Sequence, residues 1–131
     1  MGCIIMVTMT LLKTVPPDAL SIYVSATDEG YTLVRVVGVL DAFTVARFRD
    51  AISDLSSPAD LLVDLSSVPF IDSAGLGALI GAIRRTRHFG GAVSVACGRD
   101  LLVRLLRTTG VDRMVPVASN VEEAAKAFCA A

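Results

Sequence analysis

Asp72 and Ser73, followed at once by Ala74-Gly75-Leu76-Gly77, are the residues of this sequence best placed to do chemistry. A carboxylate and a hydroxyl just ahead of an amphipathic run are what a helix N-terminus uses for capping. The same position sets the serine at the positive end of a helix dipole, where a phosphate is tolerated. Two roles are therefore open to Ser73, a structural cap and a modifiable hydroxyl. A hydrolytic role would need a general base, and the single histidine, His88, lies in a basic helix end beside Arg84, Arg85 and Arg87. There it complements its own helix dipole and is poorly placed to activate a nucleophile. Asp41, Asp64 and Asp72 have no nucleophile paired with them, and two of them fall where caps and turns use carboxylates. No GxxxxGK[ST] loop is present, and Gly75-Leu76-Gly77 lacks the rest of a dinucleotide fingerprint. The expectation is a protein that is not an enzyme, with no catalytic residue and no cofactor.

Metal chemistry has as little support. Cys3, Cys97 and Cys129 are odd in number, far apart and form no CxxC pair, so with one histidine they make no zinc set. They read as small buried or incidental thiols of a reducing cytosol. Gly75, Gly77 and Gly81 carry a different signal. Each lies in the first turns of a helix, where glycine costs about 1 kcal/mol relative to alanine. Such a cost points to close approach, either to the protein's own sheet or to a partner, and the pattern leaves both open.

The elements that must position these residues follow from periodicity. Residues 20–25 alternate apolar and small polar side chains, as a half-buried strand does, and Asp28-Glu29-Gly30 turns the chain into a second strand over residues 31–37. Gly38 breaks that strand, and Asp41 is set to cap a helix over residues 42–55, with Val45, Phe48, Ile52 and Leu55 on its inner face. Ser56-Ser57-Pro58 stops it. Residues 60–65 are nearly continuously apolar, the pattern of a parallel strand buried on both faces. The helix after Asp72 has Leu76, Leu79, Ile80 and Ile83 as its inner stripe and ends near His88, with Gly90-Gly91 beyond. A fourth strand over residues 92–97 precedes a short helix capped by Asp100 with Leu101, Leu102, Leu105 and Leu106. A fifth strand is expected over residues 114–117. Asn120, with Glu123 three positions on, opens a last helix through Phe128. Strands alternating with helices predict one α/β domain: a mostly parallel, mixed sheet of about five strands, about four helices and an initial hairpin.

The whole chain sets outer bounds. At 131 residues it is long enough for one domain, and with 53% hydrophobic against 19% charged residues it should fold. A net charge of −1 and the absence of tryptophan give no basic face and no stacking platform for nucleic acid. Residues 3–12 are apolar but lack a basic flank, and Lys13 and Pro16-Pro17 stand where a cleavage site should be. About ten apolar residues are too few to span a bilayer. Met6 occupies the position where a myristoylation start wants Ser or Thr. Residues 1–18 therefore read as a poorly specified leader, with Met1, Met6 and Met9 each able to start the chain, and residues 19–131 as the domain. No membrane anchor is expected.

The segment Leu62-Val63-Asp64-Leu65-Ser66-Ser67-Val68-Pro69-Phe70-Ile71-Asp72-Ser73-Ala74-Gly75-Leu76-Gly77 resembles the signature of the STAS domain of bacterial anti-sigma factor antagonists. Val36-Val37-Gly38-Val39-Leu40-Asp41 is similar to the G-x-L-D turn of that family, and Gly110-Val111-Asp112-Arg113-Met114-Val115-Pro116-Val117 to its late G-[VL]-D-x-x-x-P stretch. The similarity spans about residues 18–129. Ala74 stands where many members carry a second Ser or Thr, which makes Ser73 the less ambiguous phosphosite. The resemblance implies a single STAS domain acting by partner switching in the cytoplasm. The unphosphorylated form would bind an anti-sigma factor with a serine kinase (ATPase) domain and free its sigma factor. Phosphorylation of Ser73 would release it, and a serine phosphatase would reset it. Asp41, Asp72, Ser73, Ala74, Gly75, Leu76 and Gly77 would form the partner-binding surface. The alternative within the same family is a non-switching STAS subunit of a lipid-transport or stress-signalling scaffold complex.

Overall fold

Ile22 and Val24 alternate with Ser21, Tyr23 and Ser25, so one side of this stretch can be buried while the other stays wet. The computed structural model, which describes residues 4–6, 20–55 and 60–129, forms it into β2 (Ser21–Ala26). β2 pairs antiparallel with β3 (Tyr31–Val37) through a turn at Gly30, whose φ of 93° is open to glycine. β4 (Asp60–Ser67) and β5 (Val93–Ala96) then add in parallel. Five consecutive residues of β4, from Leu61 to Leu65, are buried, as a strand covered on both faces requires. The sheet has six strands among the described residues, in chain order.

Three elements differ from expectation. β1 (Ile4–Met6) pairs antiparallel with β2 at one edge, inside the stretch read as a leader. The fifth strand expected over residues 114–117 is instead a short helix, α4 (Val111–Met114), followed by a two-residue strand, β6 (Val117–Ala118), parallel to β5. The cause is local: Gly110 at φ 86° lets the chain turn back into a helical turn, which Val111 anchors by full burial. α4 thus raises the helix count above the four foreseen. The stop at Ser56-Ser57-Pro58, the Pro16-Pro17 boundary and Cys3 lie outside the described residues.

The helices divide unequally over the two faces. α1 (Val45–Ser53), α2 (Ser73–His88), α3 (Asp100–Thr108) and α4 cover one face, where Phe48, Ile52, Leu79, Ile83, Leu102 and Leu106 meet the strand residues Ile22, Val34, Val63 and Val95 in a single core. α5 (Val121–Cys129) covers part of the other face over Leu62 and Ala96, with Ala124 buried beneath it. The Ser94 hydroxyl donates to the Ala124 carbonyl at 2.8 Å, and the Tyr31 and Phe128 rings lie 5.1 Å apart. Asn120 Oδ1 accepts the Glu123 N–H at 2.8 Å, so α5 begins on the expected cap.

Two polar residues are buried among the described residues, Asp64 and Ser94. Asp64 is 3% exposed, receives the Arg35 Nε–H at 3.4 Å and accepts the Ser66 N–H at 3.0 Å. Its charge is therefore satisfied on both carboxylate oxygens, which is the condition for burying it. Cys97 is a buried free thiol. Burial pushes its pKa up, against the opposing influence of Arg99 through its backbone N–H and its charge, with Asp64 adding to the rise. A neutral, inert thiol is the result.

Candidate functional site

Two loops leave the C-terminal ends of the adjacent parallel strands β3 and β4, and Asp41 and Asp72 lie on them. Near their ends the strands slip in register: Arg35 faces Asp64, but Val37 faces Ser67, so β4 carries one extra residue. Such a bulge re-aims the chain that follows. Gly38, at φ 112°, donates to the Ser67 carbonyl at 3.1 Å, and a short bridge between Leu40 and Ile71 brings the loops together again. Leu40 is held twice: its N–H donates to the Phe70 carbonyl at 3.1 Å, and its carbonyl accepts the Asp72 N–H at 3.2 Å.

Asp72 joins the loops through its side chain as well. Oδ1 accepts the Gly75 N–H at 2.9 Å, the N-cap bond expected for α2, and Oδ2 accepts the Ala42 N–H at 3.1 Å from the other loop. One carboxylate therefore starts the helix and clamps residue 42 beside it. Asp72→Ala is expected to cost about 1–2 kcal/mol, the upper part of the range for losing an N-cap, because two backbone donors lose their partner. Urea unfolding monitored by circular dichroism checks this, and Asp72→Asn, which keeps an acceptor, should recover most of the loss.

Asp41 works differently from expectation. The helix it was set to cap begins at Val45, with Thr44 as the N-cap residue, and residues 42–44 form a turn ahead of it. Asp41 Oδ1 accepts the N–H groups of Phe43 at 2.9 Å and Thr44 at 3.1 Å, which closes that turn. The Thr44 hydroxyl donates to the Val39 carbonyl at 2.8 Å and accepts the Asp41 N–H at 3.0 Å. Both carboxylates of the site are thus engaged with backbone N–H groups.

Ser73 is the first residue of α2, exposed, and its hydroxyl has no protein partner among the described residues. With Asp72 as the cap, the serine is released from that duty. Ala74 and Leu76 are half-buried and Gly77 is exposed. Gly75, expected on the contact surface, is buried instead: a Cβ there would meet the Leu40 side chain at 2.9 Å and its carbonyl oxygen still closer. At Gly77 and Gly81 a Cβ would meet nothing within 4 Å. The close approach inferred from the glycines is therefore internal at Gly75 only. Gly77 and Gly81 line an open groove of about 300 Å³ between α1 and α2, floored by Phe48 and Ile52 and flanked by Arg49 and Arg85. The inner stripe of α2 is accordingly turned from the one expected, with Gly75, Ala78, Leu79, Ala82 and Ile83 buried and Leu76 and Ile80 at its margin.

Sequence reasoning missed Thr44, Phe43 and Phe70 around this site. Phe43 is 95% exposed and Phe70 54%. An aromatic residue two positions after Asp41, inside a turn, was the available signal, since a turn gives such a side chain nothing to pack on. His88 is exposed at the far end of α2 with Arg85 and Arg87 in the same last turn, remote in sequence from Ser73. Among the described residues no three His, Cys, Asp or Glu side chains gather as a metal ion would need. No helix among them is long and apolar enough to cross a membrane.

This fold and this loop pair are those of a STAS domain, whose family model matches residues 23–124. The chain belongs to the STAS domain family, and the curated proteins it is similar to include anti-sigma-B factor antagonists. It is 29% identical over 105 residues to an anti-sigma-B factor antagonist of Listeria monocytogenes, covering 79% of this chain and 91% of that protein. The crystal structure of an anti-sigma factor antagonist from Mycobacterium paratuberculosis superposes with a TM-score of 0.73 at 28% identity, over 88% of this chain and 98% of the other. The phosphorylated form of the Bacillus protein SpoIIAA has a TM-score of 0.61 at 19% identity, over 82% of this chain and 98% of its own, a likeness of fold.

Proposed function

We infer that this protein is a cytoplasmic anti-sigma factor antagonist that works by binding, with Ser73 as its switch. Unphosphorylated, it docks on an anti-sigma factor carrying a serine kinase domain and frees the sigma factor. Phosphate on Ser73 ends the contact, and a serine phosphatase restores it. The observation that carries this reading is the division of labour at the head of α2: Asp72 takes the cap, and Ser73 stands exposed with an unengaged hydroxyl.

Electrostatics favour the same reading. A phosphate adds about −1.5 to −2 charges. The N-terminus of α2 offsets this by roughly 0.3–1 kcal/mol, which works against the repulsion from the neighbouring Asp72 carboxylate. The fold therefore tolerates the modification. A docked partner covering Ser73 does not, because a desolvated phosphate without a counter-charge costs several kcal/mol.

The test uses purified kinase-type anti-sigma factors of the source genome, each mixed with the protein and ATP. One of them should transfer a single phosphate, mapped by mass spectrometry to Ser73 in the wild type and absent from Ser73→Ala. Stable binding by a partner that ignores both Ser73→Ala and Ser73→Glu would instead make this a permanent docking module.

A further inference from the structure

Four large apolar side chains are exposed among the described residues: Phe43, Phe70, Phe89 and Leu101. Three of them follow neighbouring parallel strands, Phe43 after β3, Phe70 after β4 and Leu101 after β5. They thus stand at the strand ends from which the Ser73 loop also rises. Phe43 is the most exposed, at 95%. Its backbone is nonetheless held, since its N–H is on the Asp41 carboxylate and the preceding N–H is on Asp72, the cap of the Ser73 helix.

We propose that Phe43 is the anchor by which this protein engages its anti-sigma factor, inserting into an apolar pocket of that partner next to the contact over Ser73. This rests on the reading of Ser73 given above. A phenylalanine has two side-chain torsions, so little entropy is lost when it is immobilised, and it can bury about 150–250 Å². A rigid backbone beneath an unsupported ring is the arrangement of a pre-organised anchor. The occupant is the partner protein and not a second copy of this chain. Self-association through Phe43 would cover the adjoining Ser73 and keep out the kinase that must reach it.

Calorimetry with the anti-sigma factor kinase that phosphorylates the wild type, purified and loaded with ADP, tests the proposal. Phe43→Ala should bind about 30-fold or more weakly, the loss typical of a central aromatic anchor, while Phe43→Leu stays within about 5-fold because it keeps the apolar contact. The thermal midpoints of all three proteins should coincide, since the ring leaves the core untouched. Equal affinity of Phe43→Ala and wild type overturns the anchor while the Ser73 switch stands. A lowered midpoint, or a wild-type dimer that Phe43→Ala makes monomeric, overturns it as well. If no kinase-type anti-sigma factor binds or phosphorylates the wild type, the proposed function itself fails and the anchor with it.

Discussion

Ser73→Glu is expected to lower affinity for the kinase-type anti-sigma factor by about 100-fold or more, a loss of about 3 kcal/mol. The cause is charge brought under a closing interface. Asp72 and Asp41 supply no counter-charge, because both are themselves carboxylates, held near it by the N–H groups of Ala42, Phe43, Thr44 and Gly75. Stability should change little, since glutamate is acceptable in the first turn of a helix and the side chain is exposed. Calorimetric titration beside a thermal melt separates the two effects. Affinity that stays at the wild-type level would place the partner's contact elsewhere, whereas a large drop in the melting point would make Ser73 a structural residue. Ser73→Ala should bind as wild type does and resist the kinase.

Gly75→Ala should be the most damaging small change in the site, at about 3 kcal/mol, the upper end of the usual penalty for overpacking. For a domain of this size that lowers the unfolding midpoint by about 10 °C. The added methyl group runs into Leu40, whose side chain is fully buried and whose backbone is fixed on both sides by Phe70 and Asp72. Leu40 can retreat only by giving up a hydrogen bond that joins the two loops. Gly77→Ala and Gly81→Ala are the contrast. With open space around each Cβ position, both should gain up to about 1 kcal/mol from better helix propensity. Guanidinium unfolding of the three variants checks the sign at each position. Loss of stability at Gly77 or Gly81 would mean that the groove between α1 and α2 closes more tightly than its open floor indicates.

The glycines mark where sequence stops and tertiary structure begins. Three of them in one helix declared a close approach, because glycine's cost in a helix is a local property that any reader of the chain can count. Which glycine makes the approach depended on how α2 rotates against the loop after β3. That rotation is set by Leu40, 35 positions earlier than Gly75, which no local pattern connects to it. The inner stripe of α2 was misplaced for the same reason: Leu76 and Ile80 look like core by hydropathy, but Ala78 and Ala82 are the buried positions, and both line the groove toward α1.

Most locally encoded features were legible, although Asp100, expected to cap α3, is its first residue and makes no cap bond, and Leu101 of its expected inner face is exposed. Alternation identified β2, the turn at Gly30 placed β3 after it, an unbroken apolar run identified β4, and Asp72 and Asn120 were recognisable caps, since a cap bond spans three residues and needs no knowledge of the rest of the chain. The head of α2, with its acid, its hydroxyl and its family resemblance, was readable in one stretch. What only the fold decided is long-range. It made Asp72 a clamp on Ala42, buried Asp64 against Arg35 and left Phe43 standing in solvent beside the head of α2. Each of these depends on β3 and β4 lying side by side in parallel, and sequence periodicity specifies a strand's faces without naming its neighbour.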